Sequence, residues 1–217
     1  YNGFIPFCVY TTYFTLPLTQ ERIIDAALIE FSQKGYKAFG INELCKNHKI
    51  SKGVLYHNFA GKTELYLACV RESFHKAVSM IRGESGEVPS LADYVERRHR
   101  FSKDFPHHSH IFFEAWLMTP AEIAEEVAKE KAVFEDLNRQ VSEKLLAEST
   151  LKDHISQEQT LDYLSFIQQL FRSYYLTVSG SAESPSLASQ YERDLNKVLH
   201  LMIYGILDDK EKGGIHD

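Results

Sequence analysis

Hydrophobic positions between residues 19 and 34 recur at the spacing of an amphipathic helix. The apolar positions lie three or four residues apart and are Ile24, Ala27, Leu28 and Phe31. Thr19 is placed to cap this helix, and Gly35 is placed to end it. A second apolar set, Ile41, Leu44 and Cys45, predicts a helix of about two turns between residues 40 and 48. The tight connection at residues 49 and 50 then leads into a third helix, which gives a helix-turn-helix arrangement.

The third helix, which follows Ser51, is predicted to have two unlike faces. Ser51 can cap it, because a serine hydroxyl accepts a hydrogen bond from an amide two or three residues further on. Leu55 and Phe59 share one face at a spacing of four residues, and we expect that face to be buried. The opposite face carries Lys52, Gly53, Val54, Tyr56, His57 and Asn58. This mixture suits the groove of a nucleic acid, while an ordinary solvent-exposed helix is the alternative interpretation.

Several short motifs occur together between residues 18 and 65. They are the apolar helix ending in Phe31 and Gly35-Tyr36, the run Ile50-Ser51-Lys52-Gly53, the run Leu55-Tyr56-His57 with Phe59, and Gly61-Lys62. Over this whole stretch the chain resembles the N-terminal domain of tetracycline-repressor-like (TetR/AcrR) transcription regulators. The resemblance implies a ligand-responsive regulator, most simply a repressor, that is released from a palindromic operator by a small and often hydrophobic effector.

Three positions depart from the family pattern. Phe39-Gly40 stand where a Thr or Ser is usual, so a hydroxyl that could contact phosphate is absent there. Lys49 replaces the usual turn glycine, which implies that its backbone adopts a strained or adjusted turn conformation. Val54 replaces a common Thr, and without a hydrogen-bonding group we expect it to contact a thymine methyl.

The resemblance and the face after Ser51 together indicate the DNA contacts. We expect Asn42, Lys52, Gly53, Val54, Tyr56, His57, Asn58 and Lys62 to contact double-stranded DNA. Lys62 opens the next helix, where its charge adds to the positive end of the helix dipole and suits a phosphate contact.

The rest of the chain shows helical patterns and no strand pattern. Helices are predicted at residues 62–82, 91–105, 107–118, 120–148 and 187–207, and one more runs from the cap Ser156 to residue 178, with loops at residues 83–89 and 180–186. Ser90 is placed to cap the helix at residues 91–105. The predicted fold is therefore all-α. Residues 19–65 form a helix-turn-helix DNA-binding domain, and residues 66–217 form a larger helical domain for effector binding and dimerisation.

The last two long helices carry more apolar surface than one core face needs. Leu164, Ile167, Phe171, Tyr174 and Val178 recur on one, and Leu195, Val198, Leu199, Met202 and Ile206 recur on the other. Both stripes could serve the core of a single chain. The family resemblance implies instead a homodimer that is joined through a four-helix bundle of these two helices.

Aromatic residues between the two loops supply the surface for an effector pocket. The candidate effector-binding residues are Phe112, Phe113, Trp116, Phe166, Phe171 and Tyr175. Aromatic residues on helices also form ordinary core, which is the alternative. The expectation of a small-molecule effector comes from the family resemblance.

An enzyme is not predicted. The chain has no phosphate-binding Gly-Lys-Ser/Thr loop, no Gly-x-Ser-x-Gly motif and no dinucleotide fingerprint after a strand. His107, His108 and His110, with Glu114 one turn beyond His110, form the one metal-like cluster in the sequence, so a metal-dependent hydrolase is an alternative, as is a helical ligand-binding adaptor without DNA binding. We expect no cofactor and no bound metal.

Charge is divided unevenly along the chain. The whole protein carries a net charge of -6, but residues 18–82 hold ten Lys or Arg and six Asp or Glu. The remainder is acidic, so we expect the basic part to face DNA and the acidic part to point away from it.

Residues 1–18 contain no charged side chain, and they include Pro6 and Pro17. A secretory signal or a membrane-spanning helix does not fit this segment, and we assign it no function. Cys8, Cys45 and Cys69 are too few for a disulfide framework or a zinc site, which favours a reducing, cytoplasmic location with Cys45 and Cys69 in the core.

Overall fold

The computed structural model describes residues 18–151, 153–178, 194, 197 and 198, and within them the regular elements are all helical. The predicted all-α class, with an N-terminal helix-turn-helix unit and a larger helical domain after it, is confirmed. Two predicted segments lie largely outside the described residues. They are residues 1–18, of which Leu18 is described, and the helix at residues 187–207.

Eight α-helices and one 3-10 turn follow one another along the described chain. They are α1 (Leu18–Ala38), α2 (Ile41–Asn47), α3 (Lys52–Asn58), α4 (Lys62–Arg82), α5 (Leu91–Asp104), α6 (Pro106–Leu117), the 3-10 turn Ala121–Ile123, α7 (Ala124–Ala147) and α8 (Gln157–Val178).

Three predicted boundaries differ from the structure. Helix α1 already includes Leu18, so Thr19 lies inside the helix instead of capping it. Gly35 breaks the helical conformation with φ 70° and ψ 168°, but three helical residues follow it. Helix α7 begins at Ala124 and not near Pro120, because Ile123 bonds to the Pro120 carbonyl in the tighter 3-10 pattern.

Serine caps begin three of the helices as predicted. The hydroxyls of Ser51, Ser90 and Ser156 accept hydrogen bonds from the amides of Val54, Asp93 and Gln159. Each bond satisfies an amide that has no partner within its own helix.

Helix α4 joins the two halves of the hydrophobic core. Near its start, the ring of Tyr66 meets Phe31 of α1 edge-on at 5.0 Å between centroids. Further along, Phe74 packs on Phe112 of α6 at 4.7 Å, and Phe112 in turn meets Phe134 of α7 at 4.8 Å. Helix α4 packs against α1 as well as α5, α6 and α7, and α1 also packs directly against α6, so the first helix is joined to the larger domain through two helices.

Candidate nucleic-acid interface

The turn between α2 and α3 closes with a left-handed residue. The amide of Ile50 donates to the carbonyl of Cys45 over 3.0 Å, and Lys49 between them has φ 54°. This is the geometry of a Schellman C-terminus, in which glycine is the usual left-handed residue. The strained turn predicted at Lys49 is confirmed.

Helix α3 has the two faces that its sequence predicts. Leu55 is completely buried and Phe59 nearly so, which fixes the helix against the core. On the other side Lys52, Gly53, Val54, Tyr56 and His57 are exposed, and Asn58 is half-buried. Val54 is 40% exposed and Tyr56 is 53% exposed, which is a large apolar and aromatic surface for so short a helix.

Gly53 is not required by the fold itself. It lies within α3, and a Cβ atom built on it would meet nothing within 4 Å. A glycine inside a helix costs about 0.5–1 kcal/mol of stability relative to alanine. The missing side chain leaves the backbone of α3 accessible to another molecule.

Asn58 is the last residue of α3, and Asn42 lies on α2. The side-chain amide of Asn58 donates to the carbonyl of Val54 over 2.8 Å, so one of its donors is used within its own helix. Asn42 is exposed in the first turn of α2. The structure thus brings Asn42 and the predicted α3 residues to the helix-turn-helix unit.

Lys62 lies at the junction of α1 and α4. Its ammonium group donates to the carbonyl of Lys37 over 2.9 Å and lies 4.7 Å from the centre of the Tyr36 ring. An ammonium group has three donors, so this arrangement holds the charge in place and leaves donors for a phosphate.

A buried carboxylate fixes α2 on α1, and the sequence analysis did not single it out. Glu30 accepts from the side-chain amide of Asn47 over 2.8 Å and forms an ion pair with Lys34 at 2.6 Å. The hydrogen bond from Asn47 and that from Lys34 hold the pKa of Glu30 below its ordinary value, against the opposing effect of burial. The orientation of the helix-turn-helix unit therefore depends in part on an ionised Glu30.

The predicted effector-binding aromatic residues do not form one cavity wall in the described part of the chain. Phe112 and Phe113 are buried in the core, and Phe112 stacks on Trp116. Phe166 is 57% exposed on α8. The side chains of Phe171 and Tyr175 lie outside the described residues.

Among the described residues of this aromatic set, Trp116 is the one that lines a groove between α7 and α8. The groove has a volume of about 770 Å³. Its other lining residues are mostly polar and are Glu135, Asn138, Arg139, Ser142, Glu143, Leu161, Asp162, Ser165, Gln169 and Ser173. Among the described lining residues, three carboxylates accompany one guanidinium, and Arg139 is already bonded to Glu143 over 2.7 Å.

The histidines of the candidate metal cluster are held by different helices. His107 Nδ1 lies 2.7 Å from the hydroxyl of Ser32 on α1, whereas His108 Nδ1 lies 3.4 Å from that of Ser73 on α4. Burial, with the nearby charges of Lys76 and His107, lowers the pKa of His108 to about 4. Within the residues that the structure describes, no group of three His, Cys, Asp or Glu is arranged to hold a metal ion, so the hydrolase alternative lacks a site there.

The two described cysteines lie in the core, as predicted. Cys45 and Cys69 are buried free thiols, and burial raises the pKa of Cys69 well above the ordinary value. Among the described helices, none combines the length and apolar character needed to cross a membrane.

The N-terminal helices are similar to those of known proteins. Residues 23–69 match the family of bacterial regulatory proteins of the tetR type. UidR, an HTH-type transcriptional regulator of Escherichia coli strain K12, is 34% identical over 77 residues, which cover 36% of this chain and 39% of UidR. The match over the N-terminal helices confirms the predicted resemblance, and it covers less than half of the length of UidR.

Two further similarities extend over most of the chain. The negative regulator of the biofilm operon icaADBC, IcaR of Staphylococcus aureus strain Newman, is 23% identical over 194 residues, which cover 85% of this chain and 98% of IcaR. The crystal structure of FadR from Bacillus subtilis in complex with stearoyl-CoA aligns with a TM-score of 0.60 at 13% identity, and covers 86% of this chain and 98% of FadR. At this identity the structural similarity establishes the fold alone.

Proposed function

We propose that this chain, a member of the TetR family of bacterial regulatory proteins, is a DNA-binding transcription regulator whose helix α3 enters the major groove. The observation that carries the proposal is the exposed face of α3, where cationic, aromatic and apolar side chains surround a glycine that the fold does not need. Base edges are read through hydrogen bonds and apolar contacts, and that face offers both.

Each side chain of the interface has a role in this proposal. Tyr56, His57 and Asn58 supply hydrogen-bonding groups, and Val54 supplies an apolar contact for a thymine methyl. Lys52 and Lys62 contact phosphates, and Asn42 approaches a base or a phosphate from α2. Gly53 lets the backbone of α3 come close to the duplex.

We propose that the active species is a homodimer joined through α8 and the helix predicted at residues 187–207. Helix α8 supports this, because it leaves an apolar and aromatic face uncovered. The exposed residues of that face are Tyr163, Phe166, Leu170 and Tyr174. Of the predicted stripe, Tyr174 belongs to this exposed face, whereas Leu164 is buried within the chain. Two-fold related α3 helices would require a palindromic or nearly palindromic operator.

The larger domain, residues 66–217, is the proposed sensor, and residues 19–65 are the proposed DNA-binding domain. The groove beside Trp116 is large enough for a small molecule. In the simplest scheme the protein is a repressor, and an effector bound in this domain moves α4 and alters the spacing of the two α3 helices. A coupling of about 1–3 kcal/mol would change operator affinity enough for regulation.

Selection of bound fragments from a random pool of duplex DNA tests this function. The wild type should select an inverted repeat. Val54→Ala should select a repeat whose two half-sites differ in base sequence from those of the wild type. Lys129→Ala, which removes an exposed cation on α7, is the matched control and should select the same sequence. Recovery of no common sequence would contradict specific DNA binding. Strong binding of a monomer to a single half-site would contradict the dimer.

A further inference from the structure

Tyr36 lies where three helices meet. Its amide donates to Glu114 Oε1 of α6 over 3.0 Å, and its hydroxyl lies 3.0 Å from the hydroxyl of Thr63 in the first turn of α4. Its ring also lies beneath the ammonium group of Lys62. One residue at the end of α1 therefore touches the larger domain through its backbone and the proposed phosphate contact through its ring.

The contact with α6 depends on the break at Gly35. In an uninterrupted helix the amide of Tyr36 would bond to the carbonyl four residues earlier. The left-handed φ of 70° at Gly35 turns this amide out of the helix, and a residue with a Cβ atom adopts that conformation only at a cost. The freed amide meets a carboxylate that lies 78 positions away along the chain.

The carboxylate of Glu114 is held in a partly enclosed, aromatic setting. Glu114 is half-buried, and Tyr66 of α4, whose ring packs on Tyr36 at 4.8 Å, is fully buried. Burial and the nearby charge of Glu114 both raise the pKa of Tyr66. An amide that donates to an ionised carboxylate in such surroundings forms a stronger bond than a neutral pair does.

Helix α6 reaches both the groove and this junction. Trp116 lines the groove, and Glu114, two residues earlier on the same helix, holds Tyr36. We propose that Glu114 is a positioning residue for DNA binding: it fixes Tyr36, and through the Tyr36 ring it fixes the ammonium group of Lys62 where a phosphate can meet it. This inference rests on the proposed function, because it assigns Lys62 to the DNA interface.

A second contact between α1 and α6 provides a matched control. The hydroxyl of Ser32 lies 2.7 Å from His107 Nδ1 and also joins these two helices, and it donates to the carbonyl of Ile29, so these hydrogen bonds involve neither Tyr36 nor Lys62. If any loosening between α1 and α6 weakens DNA binding, Ser32→Ala will do so as well. If the effect passes through Tyr36, Glu114→Ala will have it and Ser32→Ala will not.

A double-mutant cycle between Glu114 and Lys62 tests the proposal. Affinity for duplex DNA is measured by fluorescence anisotropy at several salt concentrations for the wild type, Glu114→Ala, Lys62→Ala, the double variant and Ser32→Ala. We expect Glu114→Ala to weaken binding about fivefold in the wild-type background and to have little effect when Lys62 is already alanine. The salt slope should become shallower in both single variants, because each loses the same phosphate contact.

Amide hydrogen exchange at Tyr36, measured without DNA, separates this inference from the proposed function. Exchange should become faster in Glu114→Ala and stay unchanged in Ser32→Ala. Unchanged exchange in Glu114→Ala would overturn the inference, and so would additive losses in the Glu114 and Lys62 cycle. A wild-type protein that binds no duplex would overturn the proposed function and, with it, the role of Glu114, even if the Tyr36 amide is protected as expected.

Glu114→Gln provides a second variant for the same test if the alanine variant does not fold. Glutamine retains an oxygen that accepts from the Tyr36 amide but carries no charge, so the loss of affinity should be smaller and should again disappear in the Lys62→Ala background. A loss that persists in that background would overturn the proposal.

Discussion

Asn47 donates a hydrogen bond from its side-chain amide to Glu30 Oε1 over 2.8 Å, which ties the end of α2 to the middle of α1. Lys34 joins the same carboxylate from one turn further along α1. We expect Glu30→Gln to lower the free energy of unfolding at pH 7 by about 1–2 kcal/mol, because the buried hydrogen bonds lose their charged acceptor. Glu43→Gln is the control, since its exposed ion pair with Lys34 should contribute little. Urea unfolding measures both, and equal losses would contradict a special role for Glu30.

The contribution of Glu30 to the free energy of unfolding should also depend on pH. Its pKa is lowered in the folded protein from the ordinary value of 4.5, so the unfolded chain takes up a proton first as the pH falls. The stabilisation is therefore fully present above about pH 4.5 and is lost as the pH falls through the lowered pKa. The difference in unfolding free energy between the wild type and Glu30→Gln should shrink over that range, and a constant difference would contradict the assignment.

The sequence predicted the helices best where local signals mark both ends. Helix α4 runs from Lys62 to Arg82 as predicted, because Gly61 and Gly83 bound a continuous apolar pattern. The cap at Ser51 and the buried side of α3 follow from residues within one turn of each other. Local spacing is sufficient there, since the helix and its cap involve near neighbours.

Contacts between distant residues were not predictable in the same way. Glu30 looks like an ordinary surface charge in the sequence, and Glu114 stands out there only as a possible metal ligand beside His110. Their hydrogen-bond partners lie 17 and 78 positions away. The sequence pattern indicates that Phe112 and Phe113 are buried. It does not indicate which residues they pack against. Both belong to the core, and the described residues that line the groove between α7 and α8 are mostly of polar types.

The left-handed backbone of Lys49 should lower the free energy of unfolding by a measurable amount. At φ 54° its Cβ atom is crowded, and the same turn would suit glycine. Lys49→Gly should raise the free energy of unfolding by about 0.5–1 kcal/mol, after allowance for the greater freedom of glycine in the unfolded chain. Lys49→Ala is the control, because it removes the charge and keeps the crowded backbone. If alanine stabilises the protein as much as glycine, the charge and not the backbone is responsible.

A substitution at Gly53 should change the stability of the protein and its affinity for DNA in opposite directions. Since a Cβ atom there has open space, Gly53→Ala should stabilise α3 by about 0.5–1 kcal/mol. The same methyl group would stand on the face proposed to meet the duplex, so affinity for DNA should fall. Thermal unfolding and anisotropy titrations give the two values. A variant that is more stable and binds DNA as well as the wild type would show that the backbone of α3 does not approach the duplex closely.

Trp116 should report the binding of an effector in the groove between α7 and α8. It is the single tryptophan of the chain and lines that groove, so its fluorescence needs no label. Because three carboxylates line the groove against one arginine, cationic aromatic compounds should perturb its emission more than neutral apolar ones. Asp162→Asn removes one exposed carboxylate from the lining and should weaken the binding of the cationic compounds selectively.

An effector that fills this groove must also satisfy two thermodynamic conditions. At a concentration a hundred times its dissociation constant it should raise the free energy of unfolding by about 2.7 kcal/mol, provided that it does not bind the unfolded chain. If it releases the operator, operator DNA must weaken its binding by the same factor, because the coupling between two binding sites is reciprocal. Titration of Trp116 emission with and without operator DNA measures that factor directly. A compound that quenches Trp116 and stabilises the fold, yet leaves operator affinity unchanged, would show that the groove is not coupled to α3, and the effector mechanism would then fail for that compound.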